Sequence, residues 1–258
     1  MALTAVDYNL FVALRERGAL PARPSVLELG ESEWYGDVST EVLADAIDSM
    51  VADAARRREL KDRLARILEG NSPQESWDLA KVFYAAFLDY RKITAIDFHG
   101  TPAALKLDLN QPVALGEQFD VLISGGTAEH VFNVFQFFKT CHEVTCPGGL
   151  MVHVVPFLGW LEHGFFNFNP TFFWDLAQVN DYAIVLLAYT EVTPVRLIQL
   201  RSREQILEMA RRGELGQNAM LHAVLRKPAA ESGFRVPMQG VYAGRVSDDV
   251  MEAWHTLR

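Results

Sequence analysis

The feature that most constrains this chain is the recurrence of short, β-branched apolar runs separated by stretches of helical periodicity. That alternation is the pattern of an α/β protein built on a mostly parallel sheet. The runs fall at residues 25–29, 93–97, 104–108, 119–124, 150–155, 183–188 and 219–225. Each is close to continuously apolar, which predicts strands covered on both faces. The expected architecture is therefore a seven-stranded, mostly parallel sheet with helices on both sides. One domain spanning residues 1–258 accommodates it.

Between the strands the helical signals are clear. Val131, Val134, Phe135 and Phe138 fall at i, i+3, i+4 and i+7, an amphipathic helix that Pro147-Gly148-Gly149 closes off. Residues 204–212 read as another helix, ending at Gly213 with Arg211 and Arg212 at its negative pole. Residues 37–92 exceed the dozen or so that a crossover needs. One charge-rich helix is predicted over 40–68. A second is predicted from Ser72, with Ser72 as cap, Pro73 at its first position and Glu75 completing a capping box. Trp77, Leu79, Val82, Phe83, Tyr84, Phe87, Leu88 and Tyr90 make that helix apolar almost all round, so it must be covered on more than one side. Three readings follow for this insertion: a buried core helix, a lid over a ligand, or the contact surface of a homodimer.

Charge and cysteine usage narrow the function. Against 33 acidic residues stand 24 basic ones, a net charge of −9, which argues against binding nucleic acid. Cys141 and Cys146 make neither a disulfide framework nor a zinc site, and no metal is expected. No apolar run reaches the ~20 residues of a membrane span, and residues 1–7 carry no basic leader, so a cytoplasmic protein is expected.

Five segments carry a resemblance. Ser25-Val26-Leu27-Glu28-Leu29-Gly30, Ile96-Asp97, Lys106-Leu107-Asp108-Leu109, Phe119-Asp120-Val121-Leu122-Ile123 and Pro147-Gly148-Gly149-Leu150 resemble, in order, the strand-end motifs of class I S-adenosylmethionine (SAM)-dependent methyltransferases. Thr127-Ala128-Glu129-His130-Val131 is similar to the Glu-His element of small-molecule members, including quinone O-methyltransferases. The resemblance implies a Rossmann-like sheet and SAM as cofactor. It implies that Asp97 accepts from the ribose hydroxyls and Asp108 from the adenine amino group, with Phe98 and Leu109 on the adenine faces. Glu28, Gly30, Ser124 and Gly125 would complete the cofactor cradle. The first motif departs from the family's alternating glycines, because Glu31-Ser32-Glu33-Trp34-Tyr35-Gly36 follows Gly30. Glu31 or Ser32 is then assigned to the amino acid end of the cofactor, and Trp34 or Tyr35 to the sulfonium through a cation–π contact.

Methyl transfer needs orientation and, for a hydroxyl acceptor, a base. His153 and His222 lie within apolar strands and read as satisfied core residues, His142 as a helix-dipole partner, and His99 as a lining of the adenine pocket. His130 and His163 are the candidate bases, expected on opposite sides of the sulfonium. Asn133, Asn167 and Asn169 are candidates for orienting the acceptor. The segment 159–174, dense in aromatics and amides, has the makings of an acceptor pocket. The leading expectation is methylation of a small-molecule, natural-product-like acceptor. Two alternatives stay open: cyclisation or transfer of the SAM amino acid moiety with release of methylthioadenosine, and a catalytically silent SAM-binding protein.

Overall fold

The computed structural model describes residues 2–256. The strands are β1 (Ala2–Leu3), β2 (Ser25–Leu29), β3 (Glu33–Trp34), β4 (Lys92–Ile96), β5 (Phe119–Gly125), β6 (Thr145–Leu158), β7 (Ala183–Glu191), β8 (Arg196–Gln199) and β9 (Ala219–Arg226). The central sheet has seven strands in the order β4-β2-β5-β6-β9-β7-β8, and β1 pairs with β3 in a small sheet of its own. Within the central sheet β4, β2, β5 and β6 are mutually parallel, and β9 runs antiparallel to both β6 and β7. Five of its strands therefore point one way, as a mostly parallel Rossmann-like sheet requires.

Burial follows the two-residue period of a strand. Val26, Val121, Ile123, Leu150 and Val152 face one core, while Leu27, Leu29, Leu122, Met151 and Val155 face the other. The first core is closed by α1 (Ala5–Glu16), α2 (Thr40–Met50), α3 (Ala54–Gly70) and α4 (Glu75–Leu88). The second is closed by α5 (Val134–Val144), α6 (Pro170–Val179) and α7 (Arg203–Arg211), with α8 (Asp248–Thr256) beside α7.

Three expectations are corrected. Residues 104–108 form no strand: Leu105 makes a single bridge to Ile96 at the sheet edge, and Leu105 and Leu107 stay exposed, so no burial drives further pairing. The seventh strand is instead β8, which forms a hairpin with β7. The helix expected over 40–68 is two helices, because Asp53 accepts the Arg56 N–H at 2.7 Å and starts α3 afresh. The next helix begins at Glu75, since Ser72 Oγ accepts the Gln74 N–H at 3.1 Å and shapes a turn there.

The apolar perimeter of α4 is covered within the chain. Tyr8 and Phe11 of α1 pack their rings on Phe83 and Phe87, and Trp34 lies 5.9 Å from Phe83. A second copy is not needed to bury it. The helix is a core helix whose Lys81 reaches the carboxyl end of β2.

Helix α1 itself is tied across the sheet. Asp7 accepts from the Thr4 N–H (2.8 Å) and Thr4 Oγ1 (2.7 Å), and its other oxygen meets His222 Nε2 of β9 at 3.1 Å. His222 Nδ1 hydrogen-bonds with Thr190 Oγ1 at 2.9 Å, so this histidine is satisfied, as its place in an apolar strand predicts. Burial pushes the Asp7 carboxyl up, but His222 and the Thr4 donors outweigh it and hold the group below its ordinary 3.8. Replacing Asp7 by Asn is expected to cost about 1–3 kcal/mol in urea unfolding at pH 7, because buried donors lose a charged acceptor. A depressed carboxylate stabilises above its unfolded pKa and stops doing so as pH falls through the folded value. The stabilities of wild type and Asp7→Asn should therefore converge below pH 3.8; a gap that is constant with pH would contradict this.

Candidate functional site

From β2 the chain crosses to β4 on one side of it, and later returns to β5 on the other. In such a sheet the crevice beyond the carboxyl ends at that reversal is where ligands bind. The loops that meet there are stitched together. Thr127 Oγ1 donates to the Leu29 carbonyl (2.7 Å), the Glu31 N–H to Asp97 (2.8 Å), the Asn133 N–H to Asn110 (3.0 Å) and the Phe165 N–H to the Glu129 carbonyl (2.8 Å). Bare backbone lies on both sides of the reversal, at Gly30 (φ +83°) and Gly126 (φ +63°).

Of the residues expected at the cofactor, Glu28, Glu31, Ser32 and Asp97 come together, but mostly facing inward. The Lys81 ammonium is shared by the carboxylates of Glu28 and, at 3.3 Å, Glu31. Glu28 also accepts the Ser32 N–H (3.0 Å), and Ser32 Oγ hydrogen-bonds with the Tyr84 hydroxyl (2.8 Å). Glu31 accepts from the Thr101 N–H (2.7 Å) and its hydroxyl (3.2 Å). A Cβ on Gly100 would come within 2.6 Å of Glu31, so only glycine lets that loop pass. The polar atoms of Glu31 and Ser32 thus shape the loop, where the sequence had assigned them to a cofactor's ends. Trp34 packs in the first core with its indole N–H donating to the Val38 carbonyl (3.1 Å), so its place at a sulfonium is also corrected, and Tyr35 lies exposed.

Asp97 takes the His99 and Gly100 N–H groups on Oδ1 (2.7 and 3.0 Å) and the Glu31 N–H on Oδ2, which leaves Oδ2 room for a second donor. Phe98 beside it is 58% exposed, and Leu109 is buried in the second core. Asp108 is exposed and closes a turn by accepting from the Asn110 N–H and side-chain amide (both 2.9 Å), which hold its carboxyl low. At the end of β5, Gly125 is buried and Ser124 Oγ is buried with no partner. In register with Ser124 lies His153 of β6, whose ring nitrogens are also unpartnered. Burial pushes its pKa down to about 3. The expectation that His153 is a satisfied core residue is thus corrected: it is neutral and unsatisfied, beside Phe138 and Phe173.

His130 and His163 are neighbours, with ring centroids 5.0 Å apart, rather than facing one another across a gap. Between and beneath them is Glu129, in the single turn Ala128–His130. Its carboxylate is 0% exposed and neither oxygen has a hydrogen-bond partner; Oε1 lies 3.5 Å from His163 Nε2 and 4.0 Å from His130 Nε2. Burial pushes the Glu129 carboxyl up to about 7, and burial together with His163 holds His130 below the ordinary imidazole value. Sequence reasoning missed Glu129 as a site residue. Its adjacency to His130 was visible, but not the turn that buries it.

Asn133 caps α5 by accepting the Gln136 N–H (3.2 Å), and the Asn167 amide donates to the Gly159 carbonyl (2.9 Å). Both, with Asn169, line a cavity of about 980 Å³ between the start of α5, the loop after β6, α6, α7 and α8. Phe166, Phe172 and Trp174 of the aromatic segment 159–174 supply wall, joined by Phe132 and by residues of α7 and α8 that the sequence does not point to.

No family model matches the chain, and no curated protein matches it either. Solved structures with a similar chain path include one from work on the conversion of a disulfide bond into a thioacetal group during echinomycin biosynthesis (14% identity, 96% of this chain and 87% of that one, TM-score 0.38). Others are TehB from Haemophilus influenzae (14%, 86% and 64%, TM-score 0.40) and coclaurine N-methyltransferase (12%, 87% and 74%, TM-score 0.40). These likenesses are loose, and the fold is read here from the sheet order itself.

The shared ammonium gives the first test of the site's construction. Lys81→Met leaves two buried carboxylates facing each other without a cation, and is expected to cost about 3–5 kcal/mol in chemical unfolding. A loss below about 1 kcal/mol would show that the loop stands without it.

Proposed function

We propose that this protein is a SAM-dependent methyltransferase acting on a small-molecule acceptor, in the cytoplasm. The observation that carries the reading is the pairing of a crevice at the sheet reversal with a cluster of proton-accepting side chains at its edge. The features that suit the cofactor are the bare backbone at Gly30 and Gly126, the spare acceptor capacity of Asp97, the exposed ring of Phe98 and the unpartnered hydroxyl of Ser124. Asp97 and Asp108 would hold the adenosine hydroxyls and amino group, Phe98 and Leu109 the adenine faces, and Ser124 and Gly125 the far wall. Bound SAM supplies an electrophilic methyl group on a sulfonium.

The chain's own part is to seat the acceptor and receive its proton. The aromatic cavity shares the loop after β6 with His163, and Phe132, which lines it, packs on Phe165 at 5.7 Å. An apolar acceptor seated there can present a hydroxyl or amine towards the cluster. A neutral imidazole of His130 or His163 takes the proton, and the Glu129 carboxylate 3.5 Å behind His163 favours the imidazolium that results. The alternative of cyclising or transferring the SAM amino acid moiety draws on a loop without the usual glycines and on Trp34 and Tyr35; Trp34 is packed on Phe83, which weakens that support, while Tyr35 lies exposed.

Incubation with SAM and a panel of phenolic and amine acceptors is expected to yield adenosylhomocysteine. Methylthioadenosine above the spontaneous rate would overturn the reading. In calorimetry Asp97→Ala should weaken SAM binding by ~1.5–3 kcal/mol. His130→Ala or His163→Ala should lower turnover by roughly 10²–10⁴ with SAM affinity nearly unchanged.

A further inference from the structure

Glu129, His130 and His163 have the composition and spacing of an ion-binding set. One ligand atom from each of Glu129, His130 and His163 lies within 4.8 Å of the other two. Around a tetrahedral ion with bonds of about 2.0–2.1 Å, donor atoms stand roughly 3.3 Å apart. The two distances to Glu129, 3.5 and 4.0 Å, are already close to that. The remaining closure falls to His130 and His163, whose side chains are 46% and 39% exposed.

A second observation points the same way. Glu129 is a wholly buried carboxylate with neither oxygen hydrogen-bonded, at a cost that a cation would remove. Its stem is held in place: a Cβ on Gly164 would come within 3.0 Å of Glu129 Cγ, so the loop after β6 closes directly over it. The pattern is one fixed, buried ligand and two part-exposed ones at the solvent edge. Two imidazoles and one carboxylate suit Zn²⁺ and its first-row neighbours, whereas Mg²⁺ and Ca²⁺ prefer oxygen throughout. Three protein ligands leave a position open for water or an oxygen of a bound molecule.

We propose that Glu129, His130 and His163 bind a first-row divalent transition-metal ion, Zn²⁺ first among them, with one coordination position open to the crevice. The site stands whether or not the protein transfers methyl groups. If it does, the ion supplies an alternative to an imidazole base, because a hydroxyl bound at the open position loses its proton far more readily.

Purified protein stripped with chelator and dialysed is titrated with Co²⁺ and followed by its visible d–d absorption; Zn²⁺ is then added as competitor, and Mg²⁺ serves as control. Wild type is expected to develop a saturable one-equivalent band that Zn²⁺ abolishes and Mg²⁺ leaves intact. Glu129→Gln, which keeps shape and removes charge, and His163→Ala, at an exposed position, should each weaken Co²⁺ binding at least about 100-fold. No band in wild type, or affinities equal across wild type and both variants, overturns the proposal. SAM calorimetry on the same stripped samples reports on the methyltransferase reading separately, so failure of one is not failure of the other.

Discussion

The Lys81 ammonium, shared by Glu28 and Glu31, is the contact on which the carboxyl edge of the sheet depends. It joins α4 to the end of β2. From there Glu31 reaches Thr101, and the Glu31 N–H reaches Asp97, so the loops after β2 and β4 form one hydrogen-bonded body. Charges this deeply buried persist only when paired and further hydrogen-bonded, and here each carboxylate also has a backbone donor. This explains the loop's sequence. A glycine-rich turn brings backbone near a ligand by having no side chains; this loop carries side chains and folds them into the protein as struts.

That arrangement in turn requires the insertion. A single crossover helix could cover the face of β2 and β4, yet α4 is apolar on nearly every side and would leave surface exposed. Helices α1, α2 and α3 close that surface, and the aromatic contacts of Tyr8, Phe11 and Trp34 with Phe83 and Phe87 make the fit specific. The insertion thereby holds Lys81 in position.

The strands buried on both faces were legible because continuous apolar runs have few other solutions in a chain of this composition. Residues 104–108 were misread for the converse reason. A short apolar run at a sheet edge looks like a strand, but Leu105 and Leu107 stay exposed and only Leu105 pairs, once. Among the candidate residues, Asp97 directly after β4 and the two histidines on the loops after β5 and β6 were readable as positions, but not that the two rings stand side by side. The inward turn of Glu31 and Ser32 was not, because it depends on Lys81 and Tyr84, some fifty residues away. Glu129 was overlooked because burial of a carboxylate leaves no trace in local sequence.

Neighbouring strands thus end in two opposite solutions to one problem. At the end of β2 buried carboxylates are neutralised by Lys81; at the end of β5 Glu129 has, among the described residues, two imidazoles near it but no Lys or Arg ion pair, and burial lifts its pKa to about 7. A group left in that condition is stabilised by whatever positive partner arrives, be it a proton, an imidazolium or an ion. The loop after β6 lays Gly164 on the Glu129 stem and His163 at its carboxylate. Chemistry at this edge can therefore change by substitutions in that loop while the strands and both cores stay as they are.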